Sequence, residues 1–171
     1  MNLRDLSHLV IATRCGISRK EVMMTEISTR SISQNELFIM EKLYNELYEF
    51  IDSSPPPKEW VSYVYEQSMS GERHYWLALL DSNIIGFVDF KVISSHQGSE
   101  QKFARIFDFF IKPPFHRCGY GTQLARKVIN SAKEQGAITI EINVLPDNKS
   151  ALSFWKSLGF NLHLYALQIS L

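Results

Sequence analysis

The sequence predicts a mixed α+β domain, an α/β arrangement around one central sheet. Three observations carry that expectation. Apolar residues switch repeatedly between a period of two and helical spacing. The turn Asp81-Ser82-Asn83 separates two strand-like runs, which is a hairpin signal. A bare glycine turn, with Gly119 and Gly121 inside "HRCGYGTQ", joins a strand-like run to a helical one. The elements read in the order β-α-α-β-β-β-α-β-α-β.

Met23 to Ser33 alternates around Ile27 and Ile32 and is expected as the first strand. Residues 1–22 would then be an extension, and 23–171 the domain. Ser33 and Glu36 form the pattern of a capping box, and Leu37, Met40, Leu43, Leu47 and Phe50 follow at helical spacing. "SSPPPKEW" ends that helix. Proline suits a first helical turn, so a second helix is expected to carry Trp60, Val61 and Val64. "HYWLALL" and "IIGFVDFKVI" are the hairpin arms, "SSHQGSEQK" a polar loop, and "FARIFDFFI" a strand stopped by Pro113 and Pro114. After the glycine turn, Leu124, Val128, Ile129 and Ala132 mark a helix ending near Gly136. "AITIEINVL" alternates, with Ile138, Ile140, Ile142 and Val144 on one face and Thr139, Glu141 and Asn143 on the other. Asp147 or Asn148 caps a last helix carrying Leu152, Trp155 and Leu158, which Gly159 closes; "LHLYALQISL" reads as a strand.

Composition narrows the function. Lys plus Arg and Asp plus Glu both number 18, so the chain lacks the basic footprint of a nucleic-acid binder. The apolar stretch "HLVIA" is too short for a signal core or a membrane span. Cys15 and Cys118 match no metal spacing, and a reduced, cytoplasmic chain is expected rather than a disulfide scaffold. The histidines are scattered, so no metal site is expected. "IATRCGISRKEV", Ile11 to Val22, has the look of a helix-turn-helix turn but is too short for a three-helix unit; an extra helix packed on the domain, or a mis-assigned start, is expected instead.

The glycine turn has its own chemistry. A helix start leaves about four N–H groups unpaired and carries partial positive charge. A phosphate could sit on the N–H groups of Arg117 to Thr122, with Arg117 and Arg126 adding charge. A tight turn needing glycine for its dihedrals would look the same. The Walker loop is absent, and Leu124 fills the third place of the dinucleotide fingerprint.

A longer pattern is more specific. "FFIKPPFHRCGYGTQLARKVI" followed by "INVLPDNKSALSFWKSLGF" resembles the GNAT superfamily of acyl-CoA-dependent N-acetyltransferases. Gly119 and Gly121 match the two glycines of its signature [QR]-x-x-G-x-[GA]. Asn148 and Ala151 match N-x-x-A, and Leu158-Gly159-Phe160 matches the usual ending. The likeness runs from about Phe103 to Phe160. It implies a mixed, mostly antiparallel sheet splayed at its fourth and fifth strands, flanked by about four helices. It also implies acetyl-CoA as cofactor. The pyrophosphate would lie on His116, Arg117, Cys118, Gly119, Tyr120 and Gly121, with Thr122 nearby. The pantetheine arm would run along Phe109 to Lys112, through the backbone of Phe110, Ile111 and Lys112, and face Ile140 to Val144. Asn148 would hydrogen-bond that arm. Lys149 and Lys156 could meet the adenosine phosphates, or simply be solvated helix lysines.

Three departures touch the chemistry. His116 stands where the signature has Gln or Arg. Trp155 holds the place of the family's frequent tyrosine acid, and an indole donates a hydrogen bond but does not titrate. Asn143 holds the place of a glutamate base, leaving Glu141, two residues earlier on the same face, or Asp108 on the preceding strand. Glu141 is placed first, and a purely structural role stays open for either. A base is needed because an alkylammonium, with pKa near 10.4, is almost wholly protonated at pH 7. Cys118 falls at the phosphates and reads as a small turn residue, not a nucleophile.

The resemblance implies an N-acetyltransferase acting by direct attack of a primary amine, on a small molecule or a peptide, with no nucleic-acid or membrane partner. A coenzyme A-binding module without transferase activity is the alternative, and a nucleotide- or DNA-linked regulator the third. An exposed strand edge near the C-terminus leaves a homodimer open.

Overall fold

The structure, a computed structural model, describes residues 25–94, 100–164 and 169. In chain order come β1 (Ser28–Ser31), α1 (Leu37–Phe50), α2 (Lys58–Met69), β2 (His74–Leu80), β3 (Asn83–Ser94), β4 (Lys102–Ile111), a 3₁₀ turn (Pro113–Phe115), α3 (Tyr120–Glu134), β5 (Ala137–Ile142) and α4 (Lys149–Ser157). The expected helix-turn-helix-like segment, Cys15 and residues 95–99 of the polar loop lie outside the described residues. So does most of "LHLYALQISL", whose residues 162–164 and 169 are described and are not strand.

One sheet of order β1-β2-β3-β4-β5 organises these elements, antiparallel through β4 and parallel between β4 and β5. Both faces are covered, so the central strands read as nearly continuous apolar runs. Alternation then sorts their residues. Tyr75, Leu77, Phe87 and Phe110 join Met40, Leu43, Tyr44, Leu47, Val61 and Val64 beneath α1 and α2. Ala78, Leu80, Val88, Phe90 and Ile106 join Leu124, Ala125, Val128 and Trp155 beneath α3 and α4. Ile27 and Ile32 flank β1 on opposite faces because they are an odd number of residues apart; each is buried in a different cluster.

Local details depart from the sequence pattern for identifiable reasons. The helix starts later than the capping box implies. The Glu36 carboxylate does accept from the Ser33 N–H at 2.9 Å, but α1 opens at Leu37 with Glu36 as its N-cap, after a turn in which Asn35 has φ 69°. Phe50, expected on the buried stripe, is 53% exposed at the helix end. The hairpin turn is two residues, Asp81 and Ser82, both at positive φ as a type I′ turn demands; Asn83 already belongs to β3. Ile138 is exposed instead of sharing the buried face of β5. The ladder pairs Lys102 with Ala137 and Phe103 with Thr139, skipping Ile138 and breaking the alternation there.

Two irregularities shape the site. Asp89 pairs with Asp108 and Phe90 with Ile106, so Phe107 is an extra residue, a β-bulge in β4. The parallel ladder between β4 and β5 ends at Ile106 and Ile142. Beyond that point Phe107 to Ile111 keep β3 on one side and have no strand on the other among the described residues. The expected splay is therefore present, as a wedge between the fourth and fifth strands.

Candidate active site

Glycine decides how α3 begins. Gly119 is the N-cap at φ 82°, a left-handed conformation that costs other residues, and Arg117 before it is also left-handed at φ 63°. Among the described residues no side chain caps the helix, and no acidic residue lies in its first turn. The hydrogen-bond ladder starts only where the Gln123 N–H reaches the Gly119 carbonyl at 3.1 Å. Among the described residues, the N–H groups of Tyr120, Gly121 and Thr122 have no partner. A Cβ at Gly119 would meet no atom within 4 Å, so the turn faces open space. One at Gly121 would sit 3.5 Å from the Phe154 ring. The result is an unobstructed, partly positive helix start suited to an anion.

The neighbouring residues divide by direction. Tyr120 and Cys118 point inward and are buried, anchoring the turn, while Arg117 is exposed and Thr122 half-buried. The Cys118 Sγ lies 3.3 Å from the His116 carbonyl oxygen, inside the turn rather than on its open side. The His116 Nε2 sits against the Ile111 carbonyl oxygen, and the ring meets Phe50 edge-on at 5.3 Å.

The wedge is lined by backbone from β4. The Lys112 N–H donates to the Ile85 carbonyl on β3 at 2.8 Å. Successive N–H groups of a strand alternate in direction. Those of Phe109 and Ile111 therefore face the wedge, while Phe110 and Lys112 face β3. The side chains of Phe110 and Lys112 also turn away. Phe110 is buried beneath α1 and α2, and the Lys112 Nζ pairs with Glu46 at 3.1 Å. Of the three residues expected to line the pantetheine path, Ile111 alone opens its N–H to it.

On the far side of the wedge, Asn148 caps α4, its Oδ1 accepting from the Ala151 N–H at 3.0 Å, which leaves its amide nitrogen as a donor. Trp155 is buried in an aromatic cluster with Phe109 at 5.0 Å, Phe154 at 4.9 Å and Phe160 at 5.0 Å. Lys149 and Lys156 are exposed on the outer face of α4, around a shallow hollow.

The two candidate bases sit in different surroundings. Glu141 pairs with Arg105, its register partner on β4, at 2.8 Å, and both side chains are about 40% exposed (42% and 40%). This is a solvated ion pair on the sheet surface. Asp108 follows the bulge, at the point where the ladder with β5 has ended. It is half-buried, and its carboxyl is raised to about 6 by burial first and then by Asp89, against the pull of Arg73. The raised pKa comes from desolvation and a like charge, the arrangement that tunes a carboxylate toward neutral pH.

The sequence reading missed Arg73, Asp89 and Tyr44. Arg73 donates to Asp89 through Nε and Nη2, each at 2.5 Å, and the Tyr44 hydroxyl donates to the same carboxylate at 3.1 Å. Asp89 and Arg73 are both buried. A signal existed: a carboxylate inside the apolar run "IIGFVDFKVI" must find a charged partner if that run is buried.

A wedge in a mixed sheet beside a bare helix start is the architecture of acyl-CoA-dependent N-acetyltransferases. The profile of the Acetyltransferase (GNAT) family matches residues 38–160, and the chain belongs to this family. It is an N-acetyltransferase, carrying an acetyl group to an amine. It is 29% identical over 153 residues to an uncharacterized N-acetyltransferase of Methanocaldococcus jannaschii, covering 86% of this chain and 67% of that one. It is 31% identical over 131 residues to the ribosomal protein bS18-alanine N-acetyltransferase of Haemophilus influenzae, covering 76% and 80%. Among solved structures it is similar to an aminoglycoside acetyltransferase from an uncultured soil metagenomic sample, in complex with sisomicin. The TM-score is 0.67 at 21% identity, over 85% of this chain and 96% of that one. A protein of Clostridium acetobutylicum described as a predicted acetyltransferase with acetyl-CoA gives a TM-score of 0.69 at 15% identity, over 84% and 96%. At these identities the solved structures speak for the fold alone. No helix among the described residues is long and apolar enough to cross a membrane.

Proposed function

We propose that the chain transfers the acetyl group of acetyl-CoA to a primary amine of a small molecule or peptide by direct attack, with Asp108 as general base. One observation carries this reading: the strand that holds the half-buried Asp108 carboxylate opens from β5 just before it and runs on, through the 3₁₀ turn, to the helix start whose Tyr120 to Thr122 N–H groups have no partner among the described residues.

The residues fit the cofactor. The open space at Gly119 admits a diphosphate against the α3 N-terminus, where an added Cβ meets nothing. The N–H groups of Phe109 and Ile111 are donors without a strand to pair with among the described residues, and they suit the amide-bearing arm. Acetyl-CoA supplies the acyl group already activated as a thioester. The chain's contribution is to position and to move protons. Backbone N–H groups at the wedge stabilise negative charge on the carbonyl oxygen during attack. Asp108 accepts the proton of the incoming ammonium; a carboxylate raised to about 6 is ionised at neutral pH yet basic enough to take it. Glu141, held by Arg105 in an exposed pair, orients the surface strand. Trp155 has no titratable proton, so the departing thiolate, with pKa near 8.5, takes its proton from solvent.

The test combines calorimetry and thiol release. Acetyl-CoA is expected to bind, NADH not. Against a panel of small amines and N-terminal peptides, Asp108→Asn is expected to lower kcat/KM by roughly 10² or more, and Glu141→Gln by less than about tenfold. Glu141→Gln abolishing turnover while Asp108→Asn spares it would reverse the assignment. A folded protein that binds no acetyl-CoA would end it.

A further inference from the structure

A buried ion pair adjoins the candidate base. Arg73 is 5% exposed and Asp89 fully buried. Such pairs are seldom the most stable filling for a core, since well-packed apolar residues often do as well or better. The geometry of this one is directed at the reaction centre. Asp89 lies opposite Asp108 in the β3–β4 register. The Arg73 guanidinium lies over the ring of Phe107, the extra residue of the bulge, 3.9 Å from its centroid, and reaches Trp60 of α2 at 5.5 Å. One side chain thus joins α2, β3 and the bulge of β4.

We propose that Arg73 and Asp89 are positioning residues for the transfer: their buried pair pins the Phe107 bulge and holds two opposite charges at fixed places beside Asp108. This rests on Asp108 being the base. The groups facing Asp108 are Tyr44 and Tyr48 from α1, Tyr75 from β2, Asp89 from β3 and Arg73 just before β2. The Arg105–Glu141 pair lies three residues back along β4. Among these, Asp89 and Arg73 act on the Asp108 carboxyl in opposite directions.

The test reads the Asp108 carboxyl directly by ¹³C NMR of aspartate-labelled protein, its signal identified by its loss in Asp108→Asn. It also reads the acid limb of kcat/KM for acetyl-CoA with alanine amide as the amine probe. Asp89→Asn is expected to lower the Asp108 titration point, and Arg73→Met to raise it, each by about one unit. The kinetic limb should move with each, and the dissociation constant of coenzyme A should stay within about threefold by calorimetry. Arg73→Lys keeps the charge but not the fork or the planar contact with Phe107. It is expected to leave the titration point in place and to lower kcat/KM about tenfold or more. Unmoved titration points in folded Asp89→Asn and Arg73→Met protein would overturn the proposal. So would a fully active Arg73→Lys variant, which decides the matter even if the other two fail to fold. A titration point that moves while the kinetic limb stays would instead locate the failure in the assignment of Asp108 as base.

Discussion

At the scale of single residues, chemistry here depends on surroundings more than on identity. Glu141 and Asp108 are both carboxylates near the wedge, and the sequence ranked Glu141 first because it shares a face with the position the family gives to a base. That ranking could not register that Arg105 is the register partner of Glu141, since strand register depends on where a ladder starts. Nor could it register the bulge that brings Asp108 beside Asp89. Trp155 was legible as an apolar residue at helical spacing, and it is buried as such a residue should be. Tyr75 is a separate case. Its hydroxyl is buried with no hydrogen-bond partner among the described residues, so it contributes a desolvation cost and no bond. Tyr75→Phe is therefore expected to keep or raise the melting temperature, by an amount equivalent to about 1 kcal/mol at most. A clear loss of stability would mean that this hydroxyl is satisfied in solution.

Among the elements, the glycine turn and the hairpin were the most legible, because each rests on a backbone need that few residues meet. Gly119→Ala is expected to cost about 1–2 kcal/mol in urea unfolding through its positive φ, while the protein still folds, as the new methyl meets open space. Gly86 is the opposite kind of glycine. It is packed rather than twisted: a Cβ there would stand 2.1 Å from the Phe110 carbonyl oxygen, against the backbone of β4. Gly86→Ala is expected to cost more than Gly119→Ala and to weaken coenzyme A binding, since it pushes on the strand that lines the wedge. Nothing in the sequence marked Gly86 for this part, because closeness between two strand backbones leaves no local pattern. The same blindness explains Ile138, whose alternation is faultless in the sequence and is interrupted only by the β4–β5 ladder.

For the molecule as a whole, the two-faced sheet was readable from alternation and from apolar runs too continuous for a sheet open to water on one side. The acidity of Asp108 gives that whole a pH dependence. Its carboxyl is raised to about 6 in the fold, against about 3.9 in an unfolded chain, so the folded state holds the proton more tightly between those values. Stability is therefore expected to fall as pH rises from about 4 to 6 and then to level off, by up to about 3 kcal/mol from this group. Asp108→Asn removes that dependence. It is expected to melt above the parent at pH 7.5 and with it near pH 4, while losing activity; equal melting at both values would count against the raised carboxyl. The wedge, finally, divides one strand into two populations of amide hydrogens. Those of Phe110 and Lys112 face β3 and lie within a ladder. Those of Phe109 and Ile111 open on the gap. In deuterated buffer β4 should label as an alternating pattern, with fast and slow positions one residue apart. Anything that fills the gap should close the fast set and leave the slow set untouched.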